Sequence, residues 1–162
     1  METRPFSPHD KESVVRYIAE FRVTIALLKN KTIALDLKSA QHELEEFLEN
    51  DHPVFVAEVR GNITGYVICR VDDSVVWAEH LYIAPDFRRR GIASALYSEV
   101  EKLAEDLGGD TAFNWVHPNN DTIIAFLKKL GYSVLNLIEV RKPWKNESRF
   151  QKITVGKHDF DY

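Results

Sequence analysis

Apolar residues recur at helical spacing in four stretches of the chain. Steps of three and four over residues 8–29 predict a first helix with one buried face. A second helix is predicted over residues 39–49, with its glutamates on the solvent side. The third follows Gly91 and stops at the glycines after Leu107. The fourth begins at the turn HPNND and ends at Gly131.

Between these helices the pattern changes to runs rich in Val, Ile, Phe and Tyr, which predict strands. The segments PVFVAEV and TGYVICRV flank a glycine-containing turn and predict a hairpin. A third long strand, VVWAEHLYIA over residues 75–84, is closed by Pro85. Shorter strands are predicted near residues 4–7 and in the segments DTAFNWV, YSVLNLIEV and FQKITVG.

Hairpin connections outnumber helical crossovers in this order of elements. The order predicts an α/β domain of the α+β type, with a mixed, mostly antiparallel sheet of six to seven strands flanked by four helices. The 162 residues contain no repeat, low-complexity tract or long linker. We therefore expect residues 1–162 to form a single domain.

The net charge of -4 argues against nucleic acid and anionic membranes as partners. No apolar run approaches the roughly 18 residues of a membrane span, and the N-terminus has no apolar segment typical of a secretory signal. The one cysteine, Cys69, excludes an internal disulfide and a cysteine-rich metal site. We expect a cytoplasmic protein without a metal, in which Cys69 fills the core.

Three arginines, Arg88 to Arg90, precede Gly91 where a predicted strand meets a predicted helix. A helix start leaves about four N–H groups without intrahelical partners and carries a partial positive charge. The small residues Gly91, Ala93 and Ser94 would let an anion approach the main chain there. Taken alone the pattern is short, and a solvated arginine cluster is the alternative.

In its context, this stretch resembles the GNAT superfamily of acyl-CoA-dependent N-acetyltransferases. The first signature of that family stands here as LYIAPDFRRRGIASALYSEV, with Arg88, Gly91 and Ala93 in the defining places. The second, an Asn-led helix ending in Gly and an aromatic residue, stands as NDTIIAFLKKLGY from Asn120 to Tyr132. The order of elements also matches, so the resemblance spans nearly the whole chain and implies the GNAT fold.

The resemblance implies acetyl-CoA as co-substrate and an amine as acceptor. It assigns the pantetheine arm to the main chain of Leu81, Tyr82 and Ile83, and a further coenzyme contact to Asn120. It also implies that the sheet splits between the strand of Leu81 and the strand of Trp115, with the thioester in the opening. The residues assigned to the pyrophosphate are Arg88, Arg89, Arg90, Gly91, Ile92, Ala93 and Ser94.

Glu79 is the candidate general base, because family members often carry an acidic residue at this point. It precedes Leu81 and Ile83 by two and four residues, so we expect all three on one strand face. A surface glutamate is the alternative reading. His80 and His117 compete for the role, and His80 is expected to face away from Glu79.

The chain departs from the family pattern at the proton donor for the leaving thiolate. Many members have a tyrosine four residues before the glycine of the second signature, and that place is Leu127 here. Tyr132 is our candidate, and Tyr82, Tyr97 and water are the alternatives.

The acceptor is expected beside the first two helices and the loop RKPWKNES. We expect a small-molecule amine or polyamine, with a peptide N-terminus or lysine as the second choice. Two other classes stay open: a non-catalytic acyl-CoA-binding sensor and, on the arginines and basic tail alone, a nucleic-acid module. Family members are often dimers, and the last predicted strand offers an edge for a homodimer.

Overall fold

The computed structural model describes residues 1–147 and 151–162, in two units, Met1–Trp115 and Val116–Tyr162. The strands of the first unit are β1 (Glu2–Pro5), β2 (Val54–Val59), β3 (Asn62–Asp72), β4 (Val75–Ile83) and β5 (Phe113–Asn114). Its helices are α1 (Lys11–Leu28), α2 (Leu37–Glu49) and α3 (Ile92–Asp106). The second unit contains α4 (Asp121–Lys129), β6 (Lys152–Val155) and β7 (His158–Asp161). No helix in the described residues is long and apolar enough to cross a membrane.

The sheet of the first unit has the strand order β1-β2-β3-β4-β5. Its first three pairings are antiparallel, and β4 pairs with β5 in parallel. Two-residue turns connect β2 to β3 and β3 to β4. Arg60 and Gly61 form the first, and Asp73 and Ser74 the second, all with positive φ. Such turns match the twist of paired strands, and the hairpin predicted for β2 and β3 is confirmed.

Helices cover both faces of this sheet. The first apolar cluster joins α1 and α2 to the sheet through residues such as Ile18, Leu44 and Tyr66, and the second joins α3 through residues such as Leu96 and Val67. We call these sides of the sheet the α1–α2 face and the α3 face. Because successive strand residues alternate between the faces, each position of β3 and β4 can be assigned to one side.

A β-bulge interrupts this alternation in β4. Ile68 lies opposite His80 and Cys69 lies opposite Ala78, so Glu79 has no residue opposite it on β3. A bulge of this kind bends the strand and shifts the side chains that follow it by one position relative to its neighbour. Glu79 therefore occupies the one irregular position of the longest strand pairing in the sheet.

Gly65 fixes the distance between β3 and the end of β4. A Cβ added there would lie 2.6 Å from Cδ1 of Ile83 and 2.7 Å from the carbonyl oxygen of Tyr82. Because the second contact is with main chain, β4 would have to move. We expect Gly65→Ala to lower stability by about 1–3 kcal/mol, the usual cost of overpacking. Thermal unfolding measures this loss.

Gly109→Ala is the matched control for Gly65→Ala. Neither glycine has a positive φ, and a Cβ at Gly109 would come no closer than 3.3 Å to another atom. We expect the smaller loss at Gly109. Equal midpoints for the two variants would show that β4 does not depend on the missing Cβ at Gly65.

The predicted fold class and the four helices are confirmed, and the strand arrangement differs in detail. The seven strands lie in a five-stranded sheet and a separate β6–β7 hairpin, rather than in one sheet. The predicted strand YSVLNLIEV forms no ladder within the described residues. Its apolar side chains are exposed, among them Val134 at 87% and Leu137 at 73%. A strand-forming composition gives the capacity to pair, and here no neighbouring strand satisfies the main chain.

The last strands show the opposite case. β7 was not predicted, because its sequence HDFD has none of the β-branched residues that mark a strand. It forms because a two-residue turn beginning at Gly156, with φ of 64°, returns the chain along β6. The predicted strand FQKITVG includes β6, and its first residue, Phe150, lies outside the described residues.

Candidate active site at the edge of β4

The sheet of the first unit opens along β4. β4 and β5 pair only at Trp77 with Phe113 and at Ala78 with Asn114. From Glu79 to Ile83, β4 has β3 on one side and no strand on the other among the described residues. This opening lies where the family resemblance implied a split in the sheet.

The hydrogen bonds of β4 show which main-chain groups face the opening. The N–H of Ala84 donates to the carbonyl oxygen of Thr64 at 2.9 Å, so the main chain of Ala84 points toward β3. In an antiparallel pair this direction alternates from residue to residue. Tyr82 therefore points toward β3, while Leu81 and Ile83 point toward the opening. Leu81 and Ile83 are thus better placed than Tyr82 to pair with a strand-like ligand.

The loop after β4 ends in a helix start with free donors. Gly91, with φ of 82°, is the N-cap of α3, and the first intrahelical bond runs from Ala95 N–H to Gly91 at 3.0 Å. The N–H groups of Ile92, Ala93 and Ser94 have no acceptor in the described part of the chain. A Cβ added at Gly91 would meet nothing within 4 Å. The geometry fits an anion bound by the main chain.

The three arginines beside this helix start have different surroundings. Nε of Arg88 donates to the carbonyl oxygen of Ile83 at 2.9 Å, and its guanidinium lies 5.4 Å from the ring centre of Tyr82. Arg89 has a left-handed main chain, with φ of 61°. The guanidinium of Arg90 lies 5.5 Å from the ring centre of Phe87. Arg88 therefore ties the loop to the end of β4, and all three residues are exposed.

Glu79 lies at the start of the opening, on the α1–α2 face. Its Oε2 is 3.7 Å from Nε of Arg70, and both atoms are buried without a hydrogen-bond partner among the described residues. Leu81 and Ile83 pack in the α3-face cluster, whereas His80 contacts the aromatic rings of the α1–α2 face. The expectation that Glu79 shares a face with Leu81 and Ile83, and that His80 faces away from it, is wrong. The bulge at Glu79 reverses the alternation.

The two histidines considered as bases are engaged in structural contacts. Nδ1 of His80 lies 3.3 Å from the hydroxyl of Tyr66, and its Nε2 lies 3.4 Å from Oε1 of Glu43 on α2. Nδ1 of His117, in the second unit, accepts from the N–H of Asn119 at 3.2 Å. His80 is also 7% exposed, so it offers no free nitrogen to an incoming amine.

Four residues bear on the choice of proton donor. Tyr82 donates to Oε2 of Glu20 at 2.9 Å, and burial together with this bond raises the pKa of Tyr82 to about 12. Tyr97 is fully buried and donates to Oδ1 of Asn114 at 2.9 Å. In the second unit, Leu127 is buried and its carbonyl accepts from the N–H of Tyr132 at 3.1 Å.

The remaining candidates behave as local structure or core. In the second unit, Oδ1 of Asn120 accepts from Ile123 N–H at 3.3 Å and caps α4. Cys69 is fully buried, and burial raises the pKa of its thiol to about 12. The interpretation of Cys69 as a core residue is confirmed, because a thiol of that pKa is a poor nucleophile near neutral pH.

Sequence reasoning missed the residues around Glu79. Arg70 on β3 and Trp115 after β5 meet beside it, with the guanidinium 4.4 Å from the ring centre of Trp115. Neither lies in a motif, and their contact depends on the register of three strands. No local pattern in the sequence could have brought them together.

An open surface cavity of about 650 Å³ lies on the α1 side of the end of β4. Its polar groups come from Arg16, Tyr17, Glu20, Tyr82 and Asp86. Apolar walls come from α1, from the α1–α2 connection and from the end of β4, namely Val23, Ile33, Leu35, Ala84, Pro85 and Phe87. The volume is in the range of small-molecule sites.

Comparison with known proteins gives a consistent family. Residues 22–132 match the model described as the Acetyltransferase (GNAT) family. An acetyltransferase of Pectobacterium atrosepticum is 33% identical over 124 residues, covering 76% of this chain and 88% of that protein. An acetyltransferase of Yersinia enterocolitica is 32% identical over 143 residues, covering 88% and 94%.

Solved structures share the fold at low identity. The aminoglycoside N-acetyltransferase AAC(6′)-Iy in complex with CoA is 22% identical with a TM-score of 0.67, over 87% of this chain and 93% of that one. A ribosomal-protein-alanine N-acetyltransferase from Brucella melitensis is 16% identical, also with a TM-score of 0.67, over 88% and 98%. Its named acceptor differs from that of the first, so the shared fold does not select an acceptor.

Proposed function

Since the chain belongs to the GNAT family and is an acyl-CoA-dependent N-acetyltransferase, we propose that it acetylates the primary amine of a small molecule or polyamine. Acetyl-CoA supplies the acetyl group as a thioester. The cavity beside the end of β4 carries the proposal for the acceptor, because it is sized for a small molecule and its two carboxylates, Glu20 and Asp86, outnumber its one arginine. That arginine, Arg16, pairs with Glu20 at 3.0 Å. An ammonium group is attracted to such carboxylates before it loses its proton.

The proposed coenzyme site follows β4 into α3. The main chain of Leu81 and the N–H of Ile83 hold the pantetheine arm along the open edge, beside Tyr82, while the carbonyl of Ile83 accepts from Arg88. The free N–H groups of Ile92, Ala93 and Ser94, which follow the turn at Gly91, hold the pyrophosphate, and the exposed arginines before them add positive charge. Asn120 is proposed to contact the coenzyme further along. The open space at Gly91 and the unpaired edge of β4 support this placement.

Glu79 and Tyr132 are the proposed acid–base pair. Glu79 stands at the first unpaired position of β4, where it accepts the proton of the attacking amine directly or through water. Tyr132 donates a proton to the departing thiolate. Two observations favour Tyr132 over the other tyrosines: the raised pKa makes Tyr82 a weak acid, and the hydroxyl of Tyr97 already donates to Asn114.

Release of the coenzyme thiol in the presence of different amines tests the acceptor class. We expect turnover with small monoamines or polyamines and little with peptides that offer a free N-terminus or a lysine. Glu20→Gln should raise KM for the amine about tenfold with a smaller change in kcat, because a carboxylate that attracts the acceptor contributes to binding. The control is thiol release by the protein with acetyl-CoA and no added amine.

The other outcomes select between the alternatives. A preference for peptides would favour acetylation of an N-terminus or lysine, and would remove the cavity as the acceptor site. Acetyl-CoA binding without turnover on any amine would favour a non-catalytic sensor. The sensor is kept as an alternative because Leu127 occupies the place where many family members have a tyrosine.

A further inference from the structure

A cluster of four residues, Arg70, Trp77, Glu79 and Trp115, lies at the closed end of the β4/β5 opening. Arg70 on β3 is opposite Trp77 on β4, which pairs in turn with β5. The guanidinium carbon of Arg70 is 5.8 Å from the ring centre of Trp77 and 4.4 Å from that of Trp115. The two tryptophan rings are 4.7 Å apart. The side chain of Arg70 therefore crosses over β4 and ends against the residue that follows β5.

The guanidinium lies at the boundary between paired and unpaired β4. Trp77 and Ala78 are the only β4 residues paired with β5, and Glu79 is the next residue along the strand. Nε of Arg70 is 3.7 Å from Oε2 of Glu79. The bulge leaves Glu79 without a residue opposite it on β3, so the ladder alone does not orient its side chain.

The two oxygens of Glu79 differ in their surroundings. Oε2 is buried, faces Arg70 and has no hydrogen-bond partner in the described residues. Oε1 also makes no hydrogen bond within the described part of the chain, but unlike Oε2 it is not buried. Oε1 is therefore the oxygen open to solvent, on a side chain that is 24% exposed.

We propose that Arg70 is a positioning residue that holds Oε2 of Glu79, so that Oε1 is presented to the acceptor amine. The inference rests on the proposed role of Glu79 as base. In the step it serves, the new carbon–nitrogen bond forms, the carbon–sulfur bond breaks and the sulfur leaves as thiolate. The proton lost by the amine nitrogen ends on Oε1. The rings of Trp77 and Trp115 fix the guanidinium by cation–π contact.

A purely structural ion pair is the competing explanation, and the chain contains a matched one. NH1 of Arg22 on α1 lies 3.7 Å from Oε2 of Glu43 on α2, with side-chain exposures of 39% and 29%. The values for Arg70 and Glu79 are 31% and 24%. Partly exposed ion pairs at a protein surface usually contribute little to stability. Arg22→Met therefore reports what the loss of such a pair does between the two helices, where Glu43 keeps its contact with His80.

The test compares Arg70→Met, Arg70→Lys and Arg22→Met with the unaltered chain. Steady-state kinetics gives kcat and KM for acetyl-CoA, and calorimetry gives the affinity for acetyl-CoA. We expect Arg70→Met to lower kcat about tenfold, with acetyl-CoA affinity unchanged, because misplacing one reacting group slows the chemical step. Arg70→Lys keeps the charge but not the planar stacking group, and should be intermediate. Arg22→Met should leave kcat unchanged.

Added guanidinium separates positioning from folding. In Arg70→Ala, free guanidinium ion should restore part of kcat by binding between Trp115 and Glu79, whereas sodium chloride at equal ionic strength should not. Loss of kcat that guanidinium does not restore, or an equal loss in Arg22→Met, overturns the inference.

The double variant Arg70→Met/Glu79→Gln distinguishes a failure of the role proposed for Arg70 from a failure of the role proposed for Glu79. If Arg70 acts through Glu79, the double variant is as slow as Glu79→Gln alone. An impaired Glu79→Gln with a normal Arg70→Met overturns the role of Arg70 and leaves that of Glu79. Wild-type kcat in Glu79→Gln overturns both, and additive losses show that Arg70 acts by another route.

Discussion

Gly91→Glu abolishes measurable acetyl-CoA binding if the pyrophosphate lies at the start of α3. The new carboxylate would stand where the N–H groups of Ile92 to Ser94 are free. Two like charges about 4 Å apart repel by about 4 kcal/mol at an effective dielectric constant of about 20. This corresponds to roughly a thousandfold loss of affinity, before any steric conflict is added. Calorimetric titration with acetyl-CoA measures the loss.

Gly61→Glu is the matched control for this experiment. Gly61 has φ of 79°, close to the 82° of Gly91, and a Cβ at either position would meet nothing within 4 Å. Both variants carry the same strain of a side chain at positive φ, about 1–2 kcal/mol, and the same added charge. Only Gly91→Glu should lose acetyl-CoA binding. Retained affinity in that variant would remove the pyrophosphate from this loop.

The anion-binding loop at Gly91 could be predicted from the sequence because the features that form it are local. A glycine at positive φ, a helix start and small residues after it are all set by neighbours in the chain. The same holds for the four helices, whose apolar period is visible within each segment. Local patterns of this kind carried the family resemblance as well.

The contacts of Glu79 could not be predicted from local patterns, because they depend on strand register. The sequence gives no sign that the adjacent residues Ile68 and Cys69 lie opposite β4 residues that are two apart. Without the bulge, alternation places Glu79 with Leu81 and far from Arg70. One unpaired residue therefore changed the face of the candidate base and brought it to a partner that no motif contains.

The segment after α4 shows a similar limit. Residues 132–140 have the composition of a strand, but pairing requires a neighbour that composition does not specify. β7 has a poor strand composition and is paired, because Gly156 turns the chain back along β6. In both cases the long-range or turn geometry overrode the intrinsic preference.

Glu79→Gln is expected to lower kcat by roughly a hundredfold at neutral pH, within the usual range for a positioned base. The substitution keeps the shape of the side chain at the bulge and removes its ability to take a proton. As pH rises, more of the acceptor amine is neutral without help, so the loss should shrink. Rates measured from near-neutral to alkaline pH, with acetyl-CoA and amine saturating, give the dependence.

Tyr132→Phe is the control for this pH dependence. It removes the proposed proton donor and leaves the base in place, so its loss should not shrink as the amine becomes neutral. Acetyl-CoA affinity should be unchanged in Glu79→Gln, since the coenzyme contacts proposed for β4 are made by main chain. A Glu79→Gln variant with wild-type rates at every pH would show that Glu79 is not the base and is only a structural residue of the bulge. Arg70 would then have no base to orient.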